Sequence, residues 1–230
     1  MNRTDLINAL LAEIQAPTYL EIGVKDGKNF EAIRAARKIG IDPSLGLTLS
    51  TIQKLRRYLC MSFNVPVYLR DRNKVLFSMT SDEYFLSKYT QCVDIVFIDG
   101  LHHFDQVLKD YFNSLKWLNE SGAIVFHDSL PPDEDSAGRE RKTKSWNGDV
   151  WKAIYWLSKK SVDITVFDFD EGCAVAKKNG SEFDFPSDAE ISALSALTYN
   201  DFRNFRDSLT LISEDRARSL HERSVILNAC

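Results

Sequence analysis

Val93-Asp-Ile-Val-Phe-Ile-Asp-Gly100 decides the fold. Five of its first six residues are apolar, and the run stops at an acid and a glycine. A strand covered on both faces reads this way, and such strands belong to parallel sheets with helices above and below. Downstream, Phe104, Val107, Leu108, Tyr111, Leu115 and Leu118 recur on one helical face. Ser121-Gly122 breaks the chain, and Ala123–Phe126 is the next apolar run, ending at His127-Asp128. Upstream, Leu6, Ile7, Leu10, Leu11 and Ile14 mark a helix that Pro17 stops. Thr18–Ile22 then reads as a buried strand running into Gly23-Val-Lys-Asp-Gly27. A helix is expected around Phe30–Arg37, a strand at Lys38–Asp42 closed by Pro43, a helix through Ile52, Leu55 and Leu59, and a third strand at Val65–Leu69. A short helix is expected around Glu83–Lys88.

Beyond a long polar loop, 129–147, a helix is expected from about Gly148 to Lys159. Asp163–Phe169 and Cys173–Ala176 flank Asp170-Glu171-Gly172, a hairpin with no room for a crossover helix. The pattern predicts an α/β domain: a doubly wound, mostly parallel, seven-stranded sheet with an antiparallel last strand. We expect that domain over residues 1–180, with a helical extension over 181–230 packed on it. No internal repeat is found.

The 230 residues suffice for one such domain with a well-buried core. A hydrophobic share of 44% argues against disorder. The net charge of −4 argues against a broad basic face for nucleic acid. Cys60, Cys92, Cys173 and Cys230 form no C-x-x-C pair and read as free thiols in a reducing compartment. Neither a signal-peptide-like stretch nor a run of about 18 apolar residues occurs. The expectation is a cytoplasmic protein with no membrane partner.

In open α/β sheets ligands sit beyond the carboxyl ends of the strands. Here those ends carry Glu21-Ile-Gly23-Val24-Lys-Asp-Gly27, Asp42, Asp99-Gly100 and His127-Asp128. Gly23 and Gly27 let the backbone turn tightly and approach a ligand, and Asp42 could accept hydrogen bonds from a ribose diol. The G-x-x-x-G spacing counts against a dinucleotide. These motifs resemble those of the class I S-adenosylmethionine-dependent methyltransferases: Glu21–Gly27 resembles their E/D-x-G-x-x-x-G turn, and Gly40-Ile-Asp42-Pro their ribose-binding acid. Phe97-Ile-Asp99-Gly-Leu-His102 and Val125-Phe-His127-Asp128 resemble a subgroup linked to saccharide and natural-product tailoring, as does Trp146-Asn-Gly148-Asp149-Val-Trp151. The likeness covers about residues 18–178.

The resemblance implies that Glu21, Gly23, Val24, Gly27, Asp42, Ser81, Asp82 and Asp99 bind S-adenosylmethionine, with Ser81-Asp82 placed for adenine. It further implies a divalent ion, Mg or Mn, held by Asp99, Asp128 and His127. The alternative is that the two acids cap loops while His127 bonds within the sheet edge. A histidine ligand suits Mn, Fe or Zn better than Mg. His102 is the expected general base, together with Asp99, because an imidazole titrates near ~6.5. The loop 129–147 could act as a lid, with Arg139, Arg141, Lys142 and Lys144 holding an anion, and Trp146 could stack on a sugar. Trp151, Phe104 and Tyr111 read as core, and His221 as surface.

The implied activity is methyl transfer to a hydroxyl of a small molecule, a sugar or saccharide-containing intermediate. A non-methyl-transferring enzyme, or a cofactor-binding protein on the same fold, is the alternative. A homo-oligomer built on the tail stays open.

Overall fold

A computed structural model describes residues 1–45, 67–68, 73–87, 90–160, 162–178 and 183–222. The expected helix through Ile52, Leu55 and Leu59 lies outside these residues, as do Cys60 and Cys230. The strands are β1 (Thr18–Ile22), β2 (Arg37–Ile41), β3 (Val67–Tyr68), β4 (Lys74–Phe77), β5 (Val93–Ile98), β6 (Leu118–Phe126), β7 (Ile164–Asp168), β8 (Cys173–Lys177) and β9 (Leu211–Ser213). The helices are α1 (Arg3–Ala12), α2 (Lys28–Ala32), α3 (Ser81–Phe85), α4 (Phe104–Leu115), α5 (Trp151–Ser158), α6 (Asp188–Ala196), α7 (Tyr199–Ser208) and α8 (Glu214–Glu222).

One sheet runs in the order β3-β4-β2-β1-β5-β6-β8-β7-β9. The central strands β4, β2, β1, β5 and β6 are parallel neighbours, so their carboxyl ends share one edge. β8 is the reversed strand, antiparallel to both β6 and β7. The turn between β7 and β8 therefore falls on the same edge as the ends of β5 and β6. The fold is the expected Rossmann-like one, with two corrections. The described sheet has nine strands rather than seven. Of the expected third strand at Val65–Leu69 the described residues hold Val67–Tyr68, which pair antiparallel at the sheet edge, while the parallel partner of β2 is β4. The extension is not wholly helical either: Leu211–Ser213 adds to the sheet edge parallel to β7.

Apolar side chains fill both faces. Leu20, Ile22, Val96, Ile98 and Ile124 pack under α4 and α5 with Trp151, Phe104 and Tyr111. Tyr19, Ile95, Phe97, Ala123 and Val125 pack under α1 with Leu6, Ile7, Leu10 and Leu11. The alternation along β1 and β5 follows from the two-residue period of a strand. Cys173 is buried and Cys92 exposed, both as free thiols. No helix among the described residues is long and apolar enough to cross a membrane.

Candidate active site

A cleft of about 1020 Å³ opens along the edge formed by the strand ends. On one side β1 runs into the glycine turn. Gly23 has φ +96°, and a Cβ there would lie 2.0 Å from the Asp99 carbonyl oxygen, so only glycine lets β1 and β5 meet at this height. Gly27 (φ +79°) begins α2. Asp42 ends β2 and faces the turn: one carboxylate oxygen accepts the Lys25 N–H at 2.7 Å and the other the Ser44 N–H at 2.6 Å. Glu21 is buried and accepts from Tyr19 Oη at 2.6 Å and Asn29 Nδ2 at 3.0 Å. Burial pushes its carboxyl up to about 8 against those two hydrogen bonds. Val24 is buried beside the turn. Ser81 and Asp82 open α3, where Thr80 and Glu83 form a capping box. Glu21, Gly23, Val24, Asp42, Ser81 and Asp82 line the cleft, and Gly27 does not.

Two polar residues beside them carried no sequence signal. Gln106 Nε2 donates to Asp82 at 3.2 Å and to Asp110 at 3.1 Å. Asp110 is buried, and burial pushes its carboxyl up to about 7. Both lie on α4, whose other residues read simply as core.

The opposite side is denser in charge. His102 Nε2 lies 3.3 Å from Asp99 Oδ1, and its Nδ1 lies 3.2 Å from Asp128 Oδ2 and 3.0 Å from the Trp146 carbonyl oxygen. Burial lowers the affinity of this imidazole for a proton, but Asp99 and Asp128 outweigh it, so His102 titrates above an ordinary histidine. His127 is buried, 3.1 Å from Asp128 Oδ2 and 3.5 Å from Asp99 Oδ1. Its proton affinity is raised too, the carboxylates outweighing burial. Burial works on Asp99 in the opposite direction, yet the bonds from His102 and His127 hold it well below the usual carboxylate range. Asp128 is raised, by burial first.

His102 and Asp128 have φ of +56° and +58°, a strained conformation for residues with a side chain. The segment 146–149 holds them there. Trp146 stacks on the His102 ring at 5.3 Å. Asn147 Nδ2 donates to Asp128 Oδ1 at 3.0 Å. Gly148 lies where a Cβ would meet the His102 carbonyl oxygen at 2.0 Å. Asp149 accepts the Phe104 N–H at 2.8 Å and so caps α4, which His103 leaves uncapped. Asp170 and Glu171, on the β7–β8 turn, also line this side. The bases expected to hold an anion are partly committed: Arg139 pairs with Asp105 at 2.9 Å, and Arg141 donates to the carbonyl of Lys144 at 2.8 Å.

The expected metal set, Asp99, His127 and Asp128, meets at this edge, but its oxygens are already engaged. Asp99 Oδ1 faces His102 and His127, and Oδ2 faces Arg3 at 3.4 Å. Asp128 Oδ1 takes the Asn147 amide, and Oδ2 faces both histidines. Mg²⁺ requires about six oxygens in an octahedron near ~2.1 Å. The donors as arranged do not fit it. Among the described residues, three groups bring possible ligand atoms within 4.8 Å of one another: Asp99 with His102 and Asp128, His127 with Asp170 and Cys173, and His127 with Asp128 and Glu171; the expected trio is not one of them.

Residues 20–129 match a family model described as a methyltransferase domain. An uncharacterized protein, R132 of Acanthamoeba polyphaga mimivirus, is 27% identical over 121 residues, which are 48% of this chain and 51% of that protein. The chain thus spans about half the length of this curated relative. Among solved structures, a protein of Staphylococcus aureus described as a caffeoyl-CoA O-methyltransferase superposes with a TM-score of 0.51 at 17% identity, covering 75% of this chain and 81% of its own. The Bacillus cereus O-methyltransferase in complex with SAH superposes at 0.50 and 14% identity, covering 77% and 82%. At such identities the structures speak for the fold alone. Residues 20–129 are thus similar to a methyltransferase domain, and the sheet shares the fold of solved O-methyltransferases.

Proposed function

We propose that this chain moves a methyl group from S-adenosylmethionine to a hydroxyl of a polar small molecule, a sugar or saccharide-containing intermediate. The observation that carries the reading is the division of one cleft: Asp42 against a glycine turn at one end, His102 between two carboxylates at the other. Asp42 would take the ribose hydroxyls and Ser81-Asp82 the adenine, while Glu21 and the turn around Gly23, Val24 and Gly27 would shape the place of the amino-acid end. The donor set fits this group, since hydroxyls and amines need acceptors and this end of the cleft is rich in them. When bound, it supplies a methyl on a positively charged sulfur, and the carbon–oxygen bond forms as the carbon–sulfur bond breaks with its electron pair left on sulfur.

The protein's part is to orient the acceptor and move one proton. An alcohol is a weak nucleophile at neutral pH. His102 would take its proton, while Asp99 and Asp128 hold the imidazole in place and stabilise the imidazolium that forms. No divalent ion enters this scheme. The saccharide class rests on the resemblance of the Phe97–His102 and Trp146–Trp151 motifs, and the many carboxylates along the cleft suit a polyhydroxylated acceptor. One face of Trp146 is already taken by His102, so only its other face remains for a sugar ring.

Calorimetric titration of the protein with S-adenosylmethionine tests the first half. Binding weakened at least ~10-fold by Asp42→Ala is expected, the loss of hydrogen bonds to a charged group. No binding to the wild-type chain would sink the reading and leave a fold without this cofactor. Binding without transfer to any hydroxylated acceptor would favour a cofactor-binding protein instead.

A further inference from the structure

Arg3 stands in the first turn of α1 and reaches the ends of β5 and β6. Its Nη1 lies 3.4 Å from Asp99 Oδ2 and 2.9 and 2.8 Å from the two ring nitrogens of His127. Its Nε lies 3.4 Å from Asp170 Oδ2, and its backbone N–H donates to the same oxygen at 2.7 Å. The helix that delivers it is firmly seated. Asn2 and Asp5 form a capping box, Leu6, Ile7, Leu10 and Leu11 are buried, and the Thr4 hydroxyl donates to Asn29 at 2.7 Å. Asn29 in turn donates to Glu21, so one helix turn touches both halves of the cleft.

Asp99, Asp128 and Asp170 crowd one strand edge, and so much negative charge in a partly buried place demands cations. A divalent ion would answer that demand from His127, Asp170 and Cys173 or from Asp99, His102 and Asp128, and the guanidinium already pairs with a carboxylate of each group, Asp170 and Asp99, while lying against His127. Its Nη2 donates to no group among the described residues, and Arg3 lines the cleft. Arginine keeps its charge at any working pH and presents several donors in one plane, so it can hold carboxylates and still offer an N–H elsewhere.

We propose that Arg3 is the resident cation of this site: its guanidinium takes the place of a divalent ion beside Asp99, His127 and Asp170 and offers Nη2 to the acceptor oxygen. The second part of this assignment rests on the methyl-transfer reading; the first, exclusion of metal, does not. As a donor aimed at an oxygen that gains negative charge, Arg3 does the electrostatic work that a Lewis-acidic ion does elsewhere.

The test titrates the chelator-treated 230-residue chain with MnCl₂ in a calorimeter, wild type beside Arg3→Met. Removing a positive charge a few ångströms from the ion's place should tighten Mn²⁺ binding at least ~10-fold. Adding Asp170→Asn to the Arg3→Met chain should abolish that gain, and Arg3→Lys, which keeps the charge, should restore the wild-type value. Arg3→Gln serves the same purpose if methionine is not accommodated. Equal Mn²⁺ affinity in the wild-type and charge-deleted chains overturns the proposal, as does tight wild-type binding that Asp99→Asn removes. Titration of each variant with S-adenosylmethionine keeps the two readings separable. A Mn²⁺ contrast in a chain that binds no S-adenosylmethionine would leave the cation in place and remove the methyl transfer. Where transfer is measured, wild-type turnover should be insensitive to EDTA, and Arg3→Met should lower kcat more than it raises the KM for S-adenosylmethionine.

Discussion

The two ends of the cleft are built in different ways. Around the glycine turn the contacts are short in sequence: Asp42 meets Lys25 and Ser44, and Glu21 meets Tyr19 and Asn29. Around His102 they are long, joining Arg3, Asp99, His127, Asn147 and Asp170 across five separate segments. The first end uses neutral donors and backbone amides, the second uses ionised groups held against one another. A cofactor common to many enzymes can be bound by a local motif. On the proposed reading, the end that would recognise a particular acceptor is assembled from elements free to vary independently.

That contrast is open to attack, most forcefully at Asp99. Asp99→Ala should reduce methyl transfer at least ~10²-fold, since it removes the partner of His102 and leaves His127 and Arg3 with one carboxylate fewer. Its affinity for S-adenosylmethionine should stay within about three-fold, or ~0.65 kcal/mol. If both constants collapse together, the two ends are one unit and the division is wrong. Asp42→Ala should do the reverse: KM for S-adenosylmethionine rises ~10-fold or more while kcat at saturation is nearly kept, as for a group that binds ground and transition states alike.

A third probe is thermodynamic. The Glu21 carboxyl titrates near 8 in the folded chain, against an ordinary value of 4.5. Between those limits the unfolded chain has given up a proton that the folded chain keeps, so this group's contribution to stability falls as pH rises. Glu21→Gln cannot ionise. It should therefore raise the melting temperature at pH 8 relative to wild type by a few degrees, ~1 kcal/mol or more, with the advantage vanishing near pH 4.5. An advantage that grows toward acid would place the charge elsewhere. Gentler still is Asn147→Ala, which frees one oxygen of Asp128 without touching His102. A drop in kcat of about three- to ten-fold, with cofactor affinity unchanged, would mark Asn147 as a positioning residue of the acceptor end alone.

How legible all this was in the amino-acid order follows the same division. Val93–Ile98 and Thr18–Ile22 form strands over the stretches expected, because continuous apolar runs ending in Asp-Gly or Gly admit few other readings. β4 was missed: Lys74-Val-Leu-Phe77 is too short to display a period, and its place between β2 and β3 is settled by pairing across the sheet. β9 was hidden for the same reason, three residues in a polar tail. Asp42, Asp99, His102, His127 and Asp128 stood out because polar residues directly after apolar runs must lie at a strand's end. Arg3 had no such marker. One arginine in the first turn of a helix reads as solvated, and only the packing of α1 beneath β1 and β5 carries it to Asp99.

Asp170 and Glu171 both have positive φ, 51° and 62°, with Gly172 N–H closing the turn on the Phe169 carbonyl at 3.0 Å. Tight hairpin turns of this form favour Asn-Gly or Asp-Gly, so Asp170 suits its place while Glu171, where glycine is preferred, costs roughly 1 kcal/mol. The chain therefore carries a less comfortable pair than chemistry would choose for the turn alone. A library confined to positions 170 and 171 would explore new acceptors while leaving every strand register untouched, and its most heat-resistant members should be its poorest catalysts. On the proposed reading, position 171 is the freer of the two, because Asp170 also accepts from Arg3 and its exchange would loosen the edge that carries His102.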